Sequence, residues 1–209
     1  MSDDHYFTAR PASEAERSTI DVRIADRILT VDVANGVFSA GKLDPGTAVL
    51  LDHVSAPPTG TLVDLGCGWG PITMAMALQS PEATIWAVDV NERALDLTRR
   101  NVKRLRASIN AAHVNVATPA DVPRDLLFDE LWSNPPIRIG KKALHALLTM
   151  WLPRLRSGGQ AHLVVQRNLG SDSLARWIGG QIDNDGQHWG EVERVASAKG
   201  FRVLRFTRQ

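Results

Sequence analysis

Apolar and polar positions follow two different rhythms along the chain, and the change falls near residue 60. Before it, residues 21–33 run with period two: Val22 and Ile24, then Leu29, Val31 and Val33, around the polar turn Ala25-Asp26-Arg27. Period two places alternate side chains on one face, so this stretch predicts a β-hairpin. Asn35-Gly36 is a turn dipeptide. An apolar helical run follows at 48–54, and Ala56-Pro57-Pro58-Thr59-Gly60 reads as a linker. Residues 1–18 are polar and predict a surface segment, in which His5-Tyr6-Phe7 forms an aromatic cluster able to fold back as a cover.

Beyond residue 60, short apolar runs alternate with helical periodicity. Strands are predicted at 61–65, 84–88, 114–116, 127–133 and 160–165, and helices at 71–79, 91–106, 141–152 and 171–178. Residues 191–198 and 201–207 flank Lys199-Gly200 as a closing antiparallel hairpin. The 71–79 helix is apolar on most sides (Ile72, Met74, Ala75, Met76, Leu78), which predicts a buried helix. The 91–106 helix has Asn91 as its N-cap and a stripe of Ala94, Leu95, Val102 and Leu105. Alternating β and α elements imply an α/β fold, a mostly parallel seven-stranded sheet with helices on both faces. Residues 1–56 then form an extension packed on the core, and 57–209 the main domain.

Ligands in such sheets bind at the carboxyl ends of the strands. Asp64, Asp89 and Asn134 all stand at such ends. The first strand runs into Asp64-Leu65-Gly66-Cys67-Gly68-Trp69-Gly70-Pro71. Alternate glycines allow positive φ and let a ligand lie against bare main chain. Pro71 suits the first helical position, and the free N–H groups of the helix start are expected to face whatever lies over the turn. A nicotinamide fingerprint needs its third glycine where Pro71 stands. The spacing D-x-G-x-G-x-G is instead similar to the S-adenosylmethionine loop of Rossmann-like methyltransferases. The second strand ends in Asp89, whose carboxylate can accept hydrogen bonds from both ribose hydroxyls.

Composition narrows the setting. The chain has 209 residues, 44% hydrophobic and 22% charged, ordinary for a globular protein with a full core. No apolar run is long enough to span a bilayer, and Met1-Ser2-Asp3-Asp4-His5 is unlike a signal peptide. Cys67 is the single cysteine, so no internal disulfide forms and a cytoplasmic location is expected. Inside the glycine loop it reads as a small filler, and Trp69 as packing. His5, His53, His113, His145, His162 and His188 lack metal-ligand spacing, so no metal is expected, and His145 reads as structural. A net charge of +1 does not mark a nucleic-acid binder, so any contact with RNA needs local positive charge. Lys141 and Lys142, with Arg138 before them, oppose the dipole of the helix they open; a phosphate partner and plain exposure both accommodate this. Arg99, Arg100, Lys103, Arg104 and Arg106 read as a solvated helix face. Arg202, Arg205 and Arg208 are expected on one face of the last strand, as an RNA-facing edge or edge protection.

The remaining chemistry is at Ser133-Asn134-Pro135-Pro136. Two prolines cannot continue a ladder, so the chain leaves the sheet and the carbonyls of Asn134 and Pro135 can point into the cleft. An aromatic exocyclic amine is a poor nucleophile, because its lone pair is delocalised into the ring. Two acceptors on its two N–H bonds favour the pyramidal form; the Asn134 side-chain oxygen and the Pro135 carbonyl can supply them. The rest is holding the nitrogen in line with the methyl donor.

Taken together, the 64–71 loop, Asp89-Val90-Asn91-Glu92 and Ser133-Asn134-Pro135-Pro136-Ile137-Arg138-Ile139-Gly140-Lys141-Lys142 resemble the small-domain class I methyltransferases, including the ribosomal RNA small subunit methyltransferase C group. His5-Tyr6-Phe7, Val37-Phe38-Ser39 with Leu43-Asp44-Pro45-Gly46-Thr47, and Val165-Gln166-Arg167 extend the likeness over nearly the whole chain. The resemblance implies S-adenosylmethionine as cofactor, held by Asp64, Gly66, Cys67, Gly68, Gly70, Asp89, Val90 and Asn134, with Asp121 near the adenine. It implies catalysis at Asn134, Pro135 and Pro136, and substrate contacts at Phe38, Thr47, Ile137, Arg138, Lys141, Lys142, Gln166 and Arg167. It implies guanine N2 of small-subunit ribosomal RNA as the target and RNA or the small subunit as partner, with no membrane, as a monomer or homodimer. Two features depart from the pattern. Well-known members carry a second, degenerate domain ahead of the catalytic one, which is absent here. Ile137 also stands where many amino-methyltransferases have an aromatic residue, so ring stacking falls to Tyr6, Phe7 or Phe38. The rivals are a protein glutamine N5-methyltransferase and a non-catalytic cofactor- or RNA-binding module.

Overall fold

Ala25 and Asp26 take positive φ, 46° and 61°, the twist a two-residue hairpin turn needs. They join β1 (Arg17–Ile24) and β2 (Arg27–Ala34), which pair antiparallel with Val22 opposite Leu29. The hairpin begins at Arg17, ahead of the predicted start, because its polar first turn of strand is held by pairing and not by an apolar face. The computed structural model describes residues 16–39, 41–108, 111–136, 139–183 and 185–209. His5, Tyr6, Phe7, Ile137 and Arg138 therefore lie outside the described residues.

The chain continues through α1 (Pro45–His53), β3 (Thr61–Leu65), α2 (Pro71–Gln79), β4 (Thr84–Val88), α3 (Glu92–Ser108), β5 (His113–Ala117) and β6 (Phe128–Ser133). It then forms α4 (Lys141–Trp151), β7 (Leu155–Gln166), α5 (Ser171–Gly179), β8 (Gly190–Ala198) and β9 (Phe201–Arg208). The seven-stranded sheet has the order β5-β4-β3-β6-β7-β9-β8. Pairs from β5 to β7 are parallel, and β9 runs antiparallel to both neighbours. This is the predicted Rossmann-like sheet with a C-terminal antiparallel hairpin.

Two hydrophobic layers enclose the sheet. On one face Val31 and Val33 of the hairpin, Leu50 of α1, Met74 of α2 and Leu97 of α3 form one cluster. On the other, Leu148 and Trp151 of α4 and Ile178 of α5 pack on Leu163 and Phe206. Strand order reverses direction between β3 and β6, and ligands of open α/β sheets bind at such a switch point.

Three further features differ from expectation. Helix α1 starts at Pro45 and not at 48, because Asp44 caps it and Gly46 is a packing glycine: a Cβ there would meet Phe201 Cε1 at 2.8 Å. Strand β7 starts at Leu155, since Leu155 pairs with Phe128 across a bulge that absorbs Gly158-Gly159. The arginines of β9 do not share a face. Spacing of three puts Arg205 opposite Arg202 and Arg208, and each is engaged: Arg202 by Asp172, Arg205 by Glu193, and Arg208 by the Trp189 carbonyl.

Asn101 ties the hairpin and the glycine loop to α3. It is 1% exposed, its Oδ1 accepts from Asp32 N–H at 2.7 Å, and its Nδ2 donates to the Asp32 and Trp69 carbonyls at 3.0 and 2.8 Å. Asn101→Ala leaves one buried and two part-buried backbone groups without this partner, so stability is expected to fall by about 2–4 kcal/mol in urea unfolding; an unchanged midpoint would contradict the tie.

Candidate functional site

The loop after β3 turns through Gly66, Gly68 and Gly70 at φ 79°, 59° and 92°, a region only glycine adopts freely. A Cβ on Gly66 or Gly68 would meet nothing within 4 Å, so both present bare backbone to open space. Gly70 is different: a Cβ there would crowd Thr98 Oγ1 at 3.1 Å, so its role is close packing on α3.

Four of the loop N–H groups, where free donors were expected, are engaged within the protein. Gly66 N–H and Cys67 N–H both donate to the Val88 carbonyl at the end of β4, at 2.8 and 3.0 Å. Gly68 N–H donates to Asp89 Oδ2 at 3.0 Å, and Gly70 N–H to the Cys67 carbonyl. The loop is thus welded to the end of β4, and what it offers is close approach and not donors. Asp89 Oδ1 accepts from Asn91 N–H at 2.9 Å. A carboxylate has about four acceptor sites, so Asp89 is not saturated by these donors and keeps acceptor capacity toward the cleft.

A cleft of about 200 Å³ opens over this loop. Its floor is Gly66, Gly68, Val88, Asp89 and Val90; its other wall is Val37, Phe38, Asn134, Pro136 and Ile139. Two ties set the distance between the walls. Ser133, fully buried, donates to the Leu65 carbonyl at 2.6 Å, locking the end of β6 to the residue before Gly66. Asn134 Nδ2 donates to Asp44 Oδ1 at 2.7 Å and to Thr47 Oγ1 at 3.0 Å. The Pro136 carbonyl accepts from Ile139 N–H; among the described residues no backbone donor takes the Pro135 carbonyl.

The structure therefore brings Gly66, Gly68, Asp89, Val90, Asn134, Pro136 and Phe38 to one cleft, with buried Thr47 behind Asn134. Other predicted residues stand apart. Asp64 is fully buried, with Oδ2 bound by the Thr73 N–H and hydroxyl. Cys67 is buried beneath the loop; burial and the charges of Asp89 and Asp64 push its thiol well up, so it is not a nucleophile. Trp69 is buried packing. Asp121 is exposed and binds the Thr118 hydroxyl, while Pro119 of the same loop reaches the cleft. Lys141, Lys142, Gln166 and Arg167 are exposed at the carboxyl end of the sheet without lining the cleft. Within the 99–106 basic run, Arg100 pairs with Asp96 and Arg104 with Asp32. His145 stacks on Trp177 at 3.7 Å, a packing role. Sequence reasoning missed Asp44 and Asn91 as site residues: Asn91 caps α3 through Arg93 N–H and also holds the Gly36 carbonyl below Phe38.

A larger cleft, about 450 Å³, lies at the other end of β6, beside the buried pair of Glu130 and His162. Neither the glycine loop nor a strand-end acid lines it.

Burial pushes the Asp64 carboxyl up to about 7, against the two hydrogen bonds from Thr73, and the Asp89 charge adds to the rise. Asp89 is also raised, by desolvation, against backbone bonds from Asn91, Gly68 and Val90. The folded protein holds the Asp64 proton where the unfolded chain has released it. The stability tied to that proton is present below about pH 4 and is lost as pH rises to about 7. Asp64→Asn removes this titration, so the variant should gain on the wild type by a few kcal/mol between about pH 4 and pH 7, at ~1.4 kcal/mol per pKa unit. Parallel pH profiles in urea unfolding would contradict it.

The family model for the methyltransferase small domain matches residues 28–205. The chain is 29% identical to YbxB of Bacillus subtilis (strain 168), described as uncharacterized, over 97% of both chains. It is 32% identical to the ribosomal RNA small subunit methyltransferase C of Pseudomonas entomophila (strain L48), covering 98% of this chain and 58% of that one. Among solved structures, the T. thermophilus 16S rRNA N2 G1207 methyltransferase (RsmC), in complex with AdoMet and guanosine, superposes with a TM-score of 0.76 at 21% identity, over 95% of this chain and 52% of that chain. The chain spans little more than half the length of these methyltransferase C relatives. The family model's match runs over more than half of the chain, and the chain belongs to the methyltransferase small domain family.

Proposed function

We propose that this protein is a cytoplasmic S-adenosylmethionine-dependent methyltransferase that modifies an exocyclic amine of an RNA base, guanine N2 of small-subunit (16S) rRNA. The observation that carries the reading is the shared cleft: Asn134, with its amide oxygen unclaimed by any described donor, lines the same space as the bare Gly66–Gly68 backbone and Asp89. The names of the similar proteins support the RNA target.

The residues present fit the cofactor. When bound, S-adenosylmethionine supplies an electrophilic methyl group on a cationic sulfur. Asp89 keeps acceptor capacity for the ribose. Gly66 and Gly68 have no Cβ to block close approach. Asp64 and Asp89, both raised by burial, are eased by a neighbouring cation. Asn134 Oδ1 and the Pro135 carbonyl accept the two amine N–H bonds and hold the nitrogen lone pair toward the cofactor side. No residue here has to remove a proton first; the N–C bond forms as the S–C bond breaks, and the surplus proton on the methylated nitrogen leaves to water afterwards. Lys141, Lys142 and Arg167, exposed at the same end of the sheet, are the local positive charge available to RNA phosphates. The chain divides into a 1–56 extension, whose described hairpin packs on α2 and α3, and a 57–209 domain.

The direct test is transfer of labelled methyl from S-adenosylmethionine to 16S rRNA, with the product nucleoside identified as N2-methylguanosine. Label appearing only on protein would overturn the RNA reading. Asn134→Ala should lower the transfer rate by ~10²-fold or more with cofactor affinity retained; near-normal turnover would contradict its role. Asp89→Ala should weaken cofactor binding by roughly 10–100-fold in calorimetry; an unchanged Kd would contradict the ribose assignment.

A further inference from the structure

An amide side chain has an acceptor end and a donor end, and only one of its two orientations serves an amine substrate. The oxygen must face the cleft; with the NH₂ group there, two donors would meet two donors. Something must choose. Asn134 Nδ2 touches two partners, Thr47 Oγ1 at 3.0 Å and Asp44 Oδ1 at 2.7 Å. Thr47 cannot choose, because a hydroxyl rotates to donate or accept as required. Asp44 can, because a carboxylate only accepts. Turning the amide over would set its oxygen against a carboxylate oxygen and lose a charge-assisted hydrogen bond.

We propose that Asp44 is a positioning residue for methyl transfer: it fixes the orientation of the Asn134 amide so that the oxygen, and not the nitrogen, faces the substrate amine. This rests on the reading of Asn134 as the amine acceptor. The pin is rigid because three donors converge on one oxygen. Asp44 Oδ1 also accepts Gly46 N–H at 2.8 Å and Thr47 N–H at 3.0 Å, as the N-cap of α1. Helix α1 itself lies on β7 and β9, and Gly46 allows Phe201 of β9 to approach the first turn. One carboxylate oxygen thus carries the position of a helix start to the end of β6, across 90 residues of sequence.

Asp44→Ser separates the two jobs. Serine caps a helix as well as aspartate does, but its shorter side chain does not reach Asn134. Asp44→Asn keeps both the cap and an acceptor oxygen. The first readout needs no turnover: the side-chain NH₂ signals of Asn134 in nitrogen-15 NMR, identified by their loss in Asn134→Ala. They should shift and exchange faster with solvent in Asp44→Ser, and return toward the wild type in Asp44→Asn. Signals unmoved in Asp44→Ser would overturn the proposal. Where Asp44→Ser fails to fold, Asp44→Thr carries the same test. The second readout is transfer to 16S rRNA. Asp44→Ser should lower kcat by ~10–100-fold, the range for one hydrogen bond to a charged group, with KM for the cofactor within about twofold, since the glycine loop and Asp89 are untouched. In the Asn134→Ala background it should lower kcat no further; an additive loss would mean a structural role only. If Asn134→Ala keeps full activity, the amine reading falls, and the NMR result still decides whether Asp44 holds the amide.

Discussion

Two backbone donors on one carbonyl hold this site in shape. Val88, the last residue of β4, accepts from both Gly66 and Cys67 at the end of β3. Asp89, the next residue, accepts from Gly68 and Asn91. The ends of two parallel strands are thereby tied into a single surface. The consequence is counter to the usual picture of a glycine loop at a helix start. The N–H groups of Gly66, Cys67, Gly68 and Gly70 are spent on the protein itself, and Gly66 and Gly68 meet the cleft with no side chain in the way. A surface of that kind suits a nucleoside-bearing, cationic ligand better than a pyrophosphate, which needs N–H groups to receive it.

The opposite wall is held by the same logic. Ser133 bonds to Leu65, one residue from Gly66, so β6 cannot slide against β3 without breaking a buried 2.6 Å bond. Asn134 is then met from above by the first turn of α1 through Asp44 and Thr47. Both walls are therefore defined by contacts between strand ends and helix starts, and Asn101 secures the hairpin to the same loop from behind. Rigid placement of this sort is what transfer between a weak nucleophile and a bound donor requires, because orientation supplies much of the rate.

Much of this was legible in the sequence. The β3–α2–β4 unit matched residue for residue, because an apolar run, an alternating glycine turn and a proline at the first helical position all favour the same boundaries. Asn91 as a cap and Trp69 as packing also followed from local chemistry. What escaped was non-local. The donors at residues 66–68 are visible in sequence, but their acceptors on β4 are set by strand pairing. Asp44 read as part of a motif and not as the partner of a residue 90 positions away. The early start of α1 escaped because the apolar run begins only at residue 48, while Gly46 is demanded by contact with Phe201. The three arginines of β9 were misplaced because a spacing of three does not repeat on a pleated strand.

The most direct measurement is a crystal structure of this chain soaked with S-adenosylhomocysteine and guanosine. The account predicts the nucleoside sulfur over Gly66–Gly68, both ribose hydroxyls on Asp89, and the guanine amine within hydrogen-bonding distance of Asn134 Oδ1 and the Pro135 carbonyl. A cofactor lodged in the larger cleft by Glu130 and His162, or a sulfur turned away from Asn134, would contradict it.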